Sequence, residues 1–337
     1  MTPLVVIDAD VLGRERTGDE TYVENLLRQL PRIADGLRFA ALTRRPDLVP
    51  DGVEPIDVPA RMQEVRMGWS VPRVLQRLQP DLAHFQHSLP LRCRCPALVT
   101  VHDLSFERDA SLMPFYDRLV FKAVVPRAVR RAAHVFAVSE RTKVDLVELY
   151  DIPPERITVT THGIDPAFGP GERGADSYLL FVGAIQERKN PLAAAQAAAE
   201  VGLPLVVAGP EKDARLARAL ERTGADLRGY VAKPALAELY RGAACLVLPS
   251  RYEGFGLPVL EAMACGTPVV AYPDAALREV ADDAAVFAEP GTLADGIRRA
   301  LADRDRLSDV GRERAQQFSW AETAQRTVAV YRRLLTR

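Results

Sequence analysis

The stretch Ser250-Arg251-Tyr252-Glu253-Gly254-Phe255-Gly256-Leu257-Pro258-Val259-Leu260-Glu261 follows the apolar run Ala244–Leu248 and precedes Ala262-Met263-Ala264-Cys265-Gly266. The first neighbour reads as a buried strand and the second as a helix ending at a glycine. Two carboxylates thus flank a glycine turn that opens a helix. Gly254 and Gly256 let the backbone approach a ligand closely. Pro258 suits a first helical turn, where its missing N–H costs nothing. The free amides of such a turn form a site for an anion such as a phosphate. Glu261 falls on the first turn, placed to accept from sugar hydroxyls. Taken alone, the stretch reads more simply as an ordinary strand-to-helix connection, so its neighbours decide.

Outward from it, short apolar runs alternate with helix-like segments along the whole chain, the pattern of parallel sheets covered by helices. The first half holds the runs Leu4–Ile7, Leu37–Leu42, Leu82–Phe85, Ala97–Val101, Val135–Val138 and Ile157–Thr161. The second holds Tyr178–Val182, Leu203–Ala208, Leu227–Val231, Ala244–Leu248, Pro268–Ala271 and Ala285–Ala288. About six strands per half suffice for two doubly wound α/β sheets. The Pro- and Gly-rich segment Asp165–Gly174 between the halves reads as a linker. We therefore expect an N-terminal domain over 1–170, a second over 175–318, and a helical C-terminal segment over 319–337.

With 337 residues the chain suits two domains, and 48% hydrophobic with 26% charged residues is ordinary for a globular protein. A formal net charge of −1 gives no global basic field, so nucleic acid is not an expected partner. The four cysteines, Cys93, Cys95, Cys245 and Cys265, show no framework spacing and read as reduced thiols. The first residues lack a basic region and a cleavage site, and no apolar run approaches the ~20 residues that span a bilayer. The expected location is cytoplasmic.

Candidate ligand-binding groups fall at strand ends. Gly18 sits where the loop after the first strand meets a helix. His102-Asp103 ends the strand Ala97–Val101, where the imidazole can donate to a sugar hydroxyl and Asp103 either orients it or caps the next segment. His162-Gly163-Ile164-Asp165 ends another strand. Gly183 ends the first strand of the second half, and Arg188-Lys189 stand ahead of a helix, where a guanidinium fork and an ammonium suit a diphosphate. Val231 lies at a strand end where backbone can read a base edge. His84 and His87 would point to different faces of an extended segment, a poor chelating pair. Asp8-Ala9-Asp10 reads as strand-end acids, and no metal site is expected. The segment 115–131 interleaves aromatic and basic residues. It reads as a helix with an apolar core face and a solvated basic face, or as a peripheral membrane contact.

These signals, in this order, resemble the retaining GT-B glycosyltransferases of family four, over nearly the whole chain. The most specific part is Glu253 to Glu261 around the Gly-Phe-Gly turn. The resemblance implies two facing Rossmann-like domains, with the acceptor on the N-terminal one, a nucleotide-diphosphate sugar on the C-terminal one, and a last helix crossing back to the first. It implies that Glu261 binds the ribose and that Glu253 contacts donor-sugar hydroxyls. Backbone around Phe255, Gly256 and Leu257 would hold sugar and phosphate. Arg188 and Lys189 would neutralise the leaving diphosphate, and His102 would contact the sugar by side chain or carbonyl. Gly18, Gly183 and Val231 join the donor-binding set. The acceptor would be a glycan, lipid-linked or small-molecule hydroxyl, and no cofactor beyond the co-substrate is implied. Two departures stand out: Ala184 follows Gly183 where some members carry arginine, and Thr17-Gly18-Asp19 replaces paired glycines. A nucleotide-sugar epimerase and a non-catalytic nucleotide-sugar-binding protein remain rival readings. A nicotinamide-dependent oxidoreductase lacks its Gly-x-Gly-x-x-Gly.

Overall fold

A computed structural model describes residues 2–14, 18–60, 62–108, 115–172, 174 and 176–336. The chain divides into two compact units. The first holds the described residues up to 108 and those over 115–163, together with the helix Trp320–Leu335. Its strands are β1 (Leu4–Asp8), β2 (Arg38–Thr43), β3 (Val53–Asp57), β4 (Leu82–Gln86), β5 (Ala97–Val101), β6 (His134–Ala137) and β7 (Ile157–Val159). They form one parallel sheet in the order β3-β2-β1-β4-β5-β6-β7. The strand β3 is the one the apolar runs did not disclose. It carries two inward apolar residues and Pro55, which an edge strand tolerates because only one side needs donors.

The second unit, residues 164–319, holds β8 (Leu179–Val182), β9 (Leu205–Ala208), β10 (Asp226–Gly229), β11 (Cys245–Leu248), β12 (Val269–Ala271) and β13 (Ala285–Phe287). These too are all parallel, in the order β10-β9-β8-β11-β12-β13. The strand order reverses between β8 and β11. In doubly wound sheets the crevice beyond the carboxyl ends of such a pair is where ligands bind. The stretch after β11 is Ser250–Glu261, and the stretch after β8 is Gly183–Lys189. The topology thus brings the two most informative sequence segments side by side.

The core of the first unit forms around helix Gly18–Ile33, whose Tyr22, Leu26, Leu27 and Leu30 are fully buried. The apolar side of Trp320–Leu335 joins them through Trp320, Ala324, Val328 and Tyr331. Burying aliphatic or aromatic side chains of this size stabilises by about 2 kcal/mol each. One polar link crosses this core. His84 of β4 lies between the Tyr331 hydroxyl at 2.6 Å and Thr100 Oγ1 at 2.7 Å. Burial pushes the His84 pKa down to about 3, so the ring is neutral and each nitrogen has a hydroxyl partner. The acids at the end of β1 are also accounted for. Arg66, 1% exposed, forks onto Asp8, while Asp10 accepts from Arg44 at 2.8 Å and from Arg14.

Candidate active site

The second unit's site is built on the two strand ends at the reversal of strand order. After β8 the chain passes Gly183, whose φ of +152° lets it turn under its neighbour. The 3-10 turn Glu187–Lys189 and helix Pro191–Val201 follow. After β11, the segment Tyr252–Phe255 is buried, with Phe255 edge-on to Phe318 at 5.9 Å. The two segments are tied together by charge. Lys189 Nζ donates to both Glu253 oxygens at 2.5 and 2.7 Å. Arg188 donates to the Tyr252 carbonyl at 2.8 Å and lies 3.5 Å from Glu253 Oε2. Burial raises the Glu253 carboxyl, but Lys189 and Arg188 outweigh it and hold the pKa below the ordinary value. Two cations therefore converge on one carboxylate at a nearly dry surface.

Gly256 then starts helix Leu257–Ala264 from a φ of +115°. Its carbonyl accepts from both Val259 and Leu260, at 3.0 and 3.2 Å. With Pro258 lacking an N–H, the amides of Gly256 and Leu257 are left without an acceptor among the described residues. One turn on, Glu261 has a different environment from Glu253. It accepts from the Tyr240 hydroxyl at 2.8 Å. The ammonium of Lys233 bonds Asp165 instead, at 2.7 Å. Burial lifts the Glu261 carboxyl to about 8, with the Tyr240 bond and Lys233 only partly opposing it. Two glutamates eight positions apart are thus held in opposite states, one ionised beside cations and one protonated at neutral pH.

In the first unit His102 follows β5 and packs edge-on to Tyr22 at 5.1 Å, with His87 at 5.2 Å and His162 at 6.1 Å between ring centroids. Its Nε2 lies 2.9 Å from Gln86 Oε1. An amide oxygen only accepts, so His102 carries its proton on Nε2 and turns Nδ1 out as an acceptor. That Nδ1 is buried and has no hydrogen-bond partner among the described residues. Burial, with His87 adding to it, pushes His102 down to about 3, against the opposing pull of Asp19 and Asp103. Asp103 Oδ1 accepts from the amide and hydroxyl of Ser105, at 3.1 and 2.9 Å. It thus ties down the entry to the short helix Ser105–Arg108, while its charge also acts on His102.

Two family models match in succession, Glycosyltransferase Family 4 over residues 16–168 and Glycosyl transferases group 1 over residues 167–318. D-inositol 3-phosphate glycosyltransferase 1 of Catenulispora acidiphila is 32% identical, across 95% of this chain and 91% of that protein. The chain belongs to the group 1 glycosyltransferases. This transferase is also similar to O-antigen chain mannosyltransferase B of Escherichia coli, 29% identical across 71% of the chain and 70% of the relative. Its fold is that of Anabaena HepE, solved in complex with UDP and glucose. The TM-score is 0.74, at 16% identity over 98% of this chain and all of that one. The architecture is GT-B, two Rossmann-like parallel-sheet units.

Within the transferase, Arg188, Lys189 and Glu253 come into contact, and Gly183, Gly256, Leu257 and Glu261 share their sheet edge. Val231 lies further along that edge, after β10, apart from the others. Gly18 is the first residue of its helix, whereas Thr17 lies outside the described residues. Sequence reasoning passed over three partners. The Tyr240 hydroxyl holds Glu261. Gln86 Oε1 sets the His102 tautomer. The link from Lys189 to Glu253 spans 64 residues, and only the strand order reveals it.

Proposed function

We propose that this transferase moves a hexose from a nucleotide-diphosphate sugar to a hydroxyl of a glycan, lipid-linked or small-molecule acceptor, with retention of configuration. The observation that carries the reading is the Arg188–Lys189–Glu253 cluster on the same strand-end edge as the amides of Gly256 and Leu257, which have no acceptor among the described residues. Glycosyl transfer builds positive charge at the anomeric carbon and negative charge on the departing diphosphate. Fixed cations and amides aimed at the diphosphate stabilise that departing charge without reorganising. In this reading Arg188, Lys189 and the two amides hold the phosphates. Glu253, kept ionised, faces the sugar hydroxyls and the oxocarbenium-like centre, and Glu261 accepts from the ribose. His102, neutral and tautomer-locked, accepts from a sugar hydroxyl through Nδ1. Protein cations then do the work that a divalent ion does elsewhere, and the diphosphate oxygen takes the acceptor's proton.

The O-antigen relative leans the sugar towards mannose, and HepE shows UDP as a nucleotide bound by the same fold. The discriminating experiment is incubation of the chain with GDP- and UDP-hexoses, with and without acceptor, in chelator, followed by NMR of the anomeric configuration. Transfer with an inverted anomeric centre, or a requirement for one divalent ion, contradicts the corresponding part. A change of the sugar in donor alone supports an epimerase. A membrane contact through 115–131 belongs to the same proposal. Helix Phe115–Arg131 buries Val125, Ala128 and Val129, yet leaves Tyr116 and Leu119 71% and 57% exposed. Among the described residues no helix is long and apolar enough to cross a membrane. Sedimentation with anionic liposomes at low salt tests the contact, and protein left wholly in the supernatant rejects it.

A further inference from the structure

The loop from His87 to Pro96 joins β4 to β5 without a helix. Near its end Cys93 and Cys95 bring their sulfurs to 3.4 Å, and the Cys93 thiol donates to the Cys95 carbonyl. Both side chains are half-buried and free, whereas Cys245 and Cys265 are buried in the second unit. Cys95 also lines an open groove of about 570 Å³, walled by Trp69, Gln79 and Arg94. Arginines stand around the pair, and the Asp81 carboxylate also acts on Cys95. Arg92 and Arg94 are exposed and have no carboxylate partner among the described residues, and Arg131 reaches the Leu91 carbonyl at 3.4 Å. The hydrogen bond with Cys95 and the charge of Arg131 hold the Cys93 thiol below its ordinary pKa, whereas that same bond and burial push the Cys95 thiol up, so Cys93 is the attacking sulfur. By contrast, burial lifts Cys245 and Cys265 to about 12 and about 11. The pair stands before β5, at the end of that strand remote from His102.

We propose that Cys93 and Cys95 form a reversible dithiol–disulfide couple that exchanges with anionic low-molecular-weight disulfides such as oxidised glutathione. The proposal is independent of the transferase reading. The Cys93 thiolate attacks one sulfur of the external disulfide, forming a mixed disulfide and releasing one thiol. The Cys95 thiolate then attacks the Cys93 sulfur, closing the Cys93–Cys95 bond and releasing the second thiol. Two protein thiols are oxidised and one external disulfide is reduced to two thiols. Proximity favours closure, and the small ring it makes keeps the bond easy to reduce, the mark of a labile disulfide. Arg131 favours the Cys93 thiolate, and the exposed Arg92 and Arg94 favour an anionic partner.

The test equilibrates the full chain in glutathione buffers from reducing to oxidising, alkylates after acid quench and denaturation, and reads the intact mass. The expected result is a shift from four alkylated thiols to two, no retained glutathione, and full return on adding dithiothreitol. Cys95→Ser should instead stall as a glutathione adduct on Cys93. A Cys93→Ser, Cys95→Ser chain should show two alkylatable thiols in every buffer. The proposal is overturned if the unmodified chain keeps four thiols at the oxidising limit. It is equally overturned if that chain accumulates the glutathione adduct, cross-links to a second chain, or if Cys95→Ser takes up no glutathione.

Discussion

At the scale of single residues, the two glutamates make separable predictions. Lys189 holds both oxygens of Glu253, so on the proposed reading Lys189→Ala removes a phosphate cation and leaves the buried carboxylate only Arg188, 3.5 Å away, of the two cations. Loss of one preorganised charge of this kind costs about 10²–10³-fold in turnover, and Lys189→Ala should fall in or beyond that range. Arg188→Ala, which leaves the Lys189–Glu253 pair in place, should cost less, and steady-state kinetics on both variants checks the order. Glu261 should reveal itself through pH. Its carboxyl keeps its proton up to about 8, against 4.5 for the free side chain. A ribose hydroxyl that donates to it selects the carboxylate. Nucleotide binding should therefore release protons at neutral pH and tighten as pH rises through about 8. Calorimetry in two buffers of different ionisation enthalpy reads this directly, and Glu261→Gln should abolish both effects. The same shift bears on stability. The Glu261 contribution is fully present below 4.5 and is lost as pH rises through about 8, because the folded state binds the proton more tightly.

At the scale of elements, the glycine turns are the most constrained parts. A Cβ on Gly256 would stand 2.6 Å from Leu277 Cδ2, on backbone already at a φ of +115°. A Cβ on Gly209 would stand 2.1 Å from the Gly183 carbonyl oxygen, which is backbone and cannot step aside. Gly256→Ala should thus cost about 1–3 kcal/mol of stability. Gly209→Ala should cost more, with both read from chemical denaturation. The contrast explains what the sequence made legible. Gly256 stood out because Pro258 and a strand flanked it, giving the turn a local signature. Gly209 followed an equally clear strand, but its need for glycine comes from the neighbouring turn after β8, some 26 positions earlier. The same holds for the site. Arg188, Lys189, Glu253 and Glu261 were visible as residue types at strand ends. Their pairing was not, because it depends on β8 lying next to β11. The strand β3 was missed for a local reason, since Pro55 and two acids break its apolar run.

At the scale of the whole molecule, two sheets with separate cores predict that two perturbations will act on different units. Ending the chain after Ser319 removes Trp320 and Tyr331 from the core of the first unit and leaves His84 one hydroxyl short. Two buried aromatics and a buried hydrogen bond together stabilise by several kcal/mol, so the truncated chain should lose amide protection throughout β1, β4 and β5. A nucleoside diphosphate should do the opposite elsewhere. At about 100 times its Kd it adds about 2.7 kcal/mol to whatever it binds. On the proposed reading the phosphate and ribose are bound by residues after β8 and β11, so that gain should appear as slowed exchange in the second unit. Hydrogen exchange read by mass spectrometry, on the intact and truncated chains with and without UDP or GDP, separates the two effects. The truncated chain should still show nucleotide protection around residues 183–189 and 250–264. If that protection disappears with the last helix, the nucleotide site depends on the first unit's integrity. The division of labour argued from the two strand ends would then be wrong.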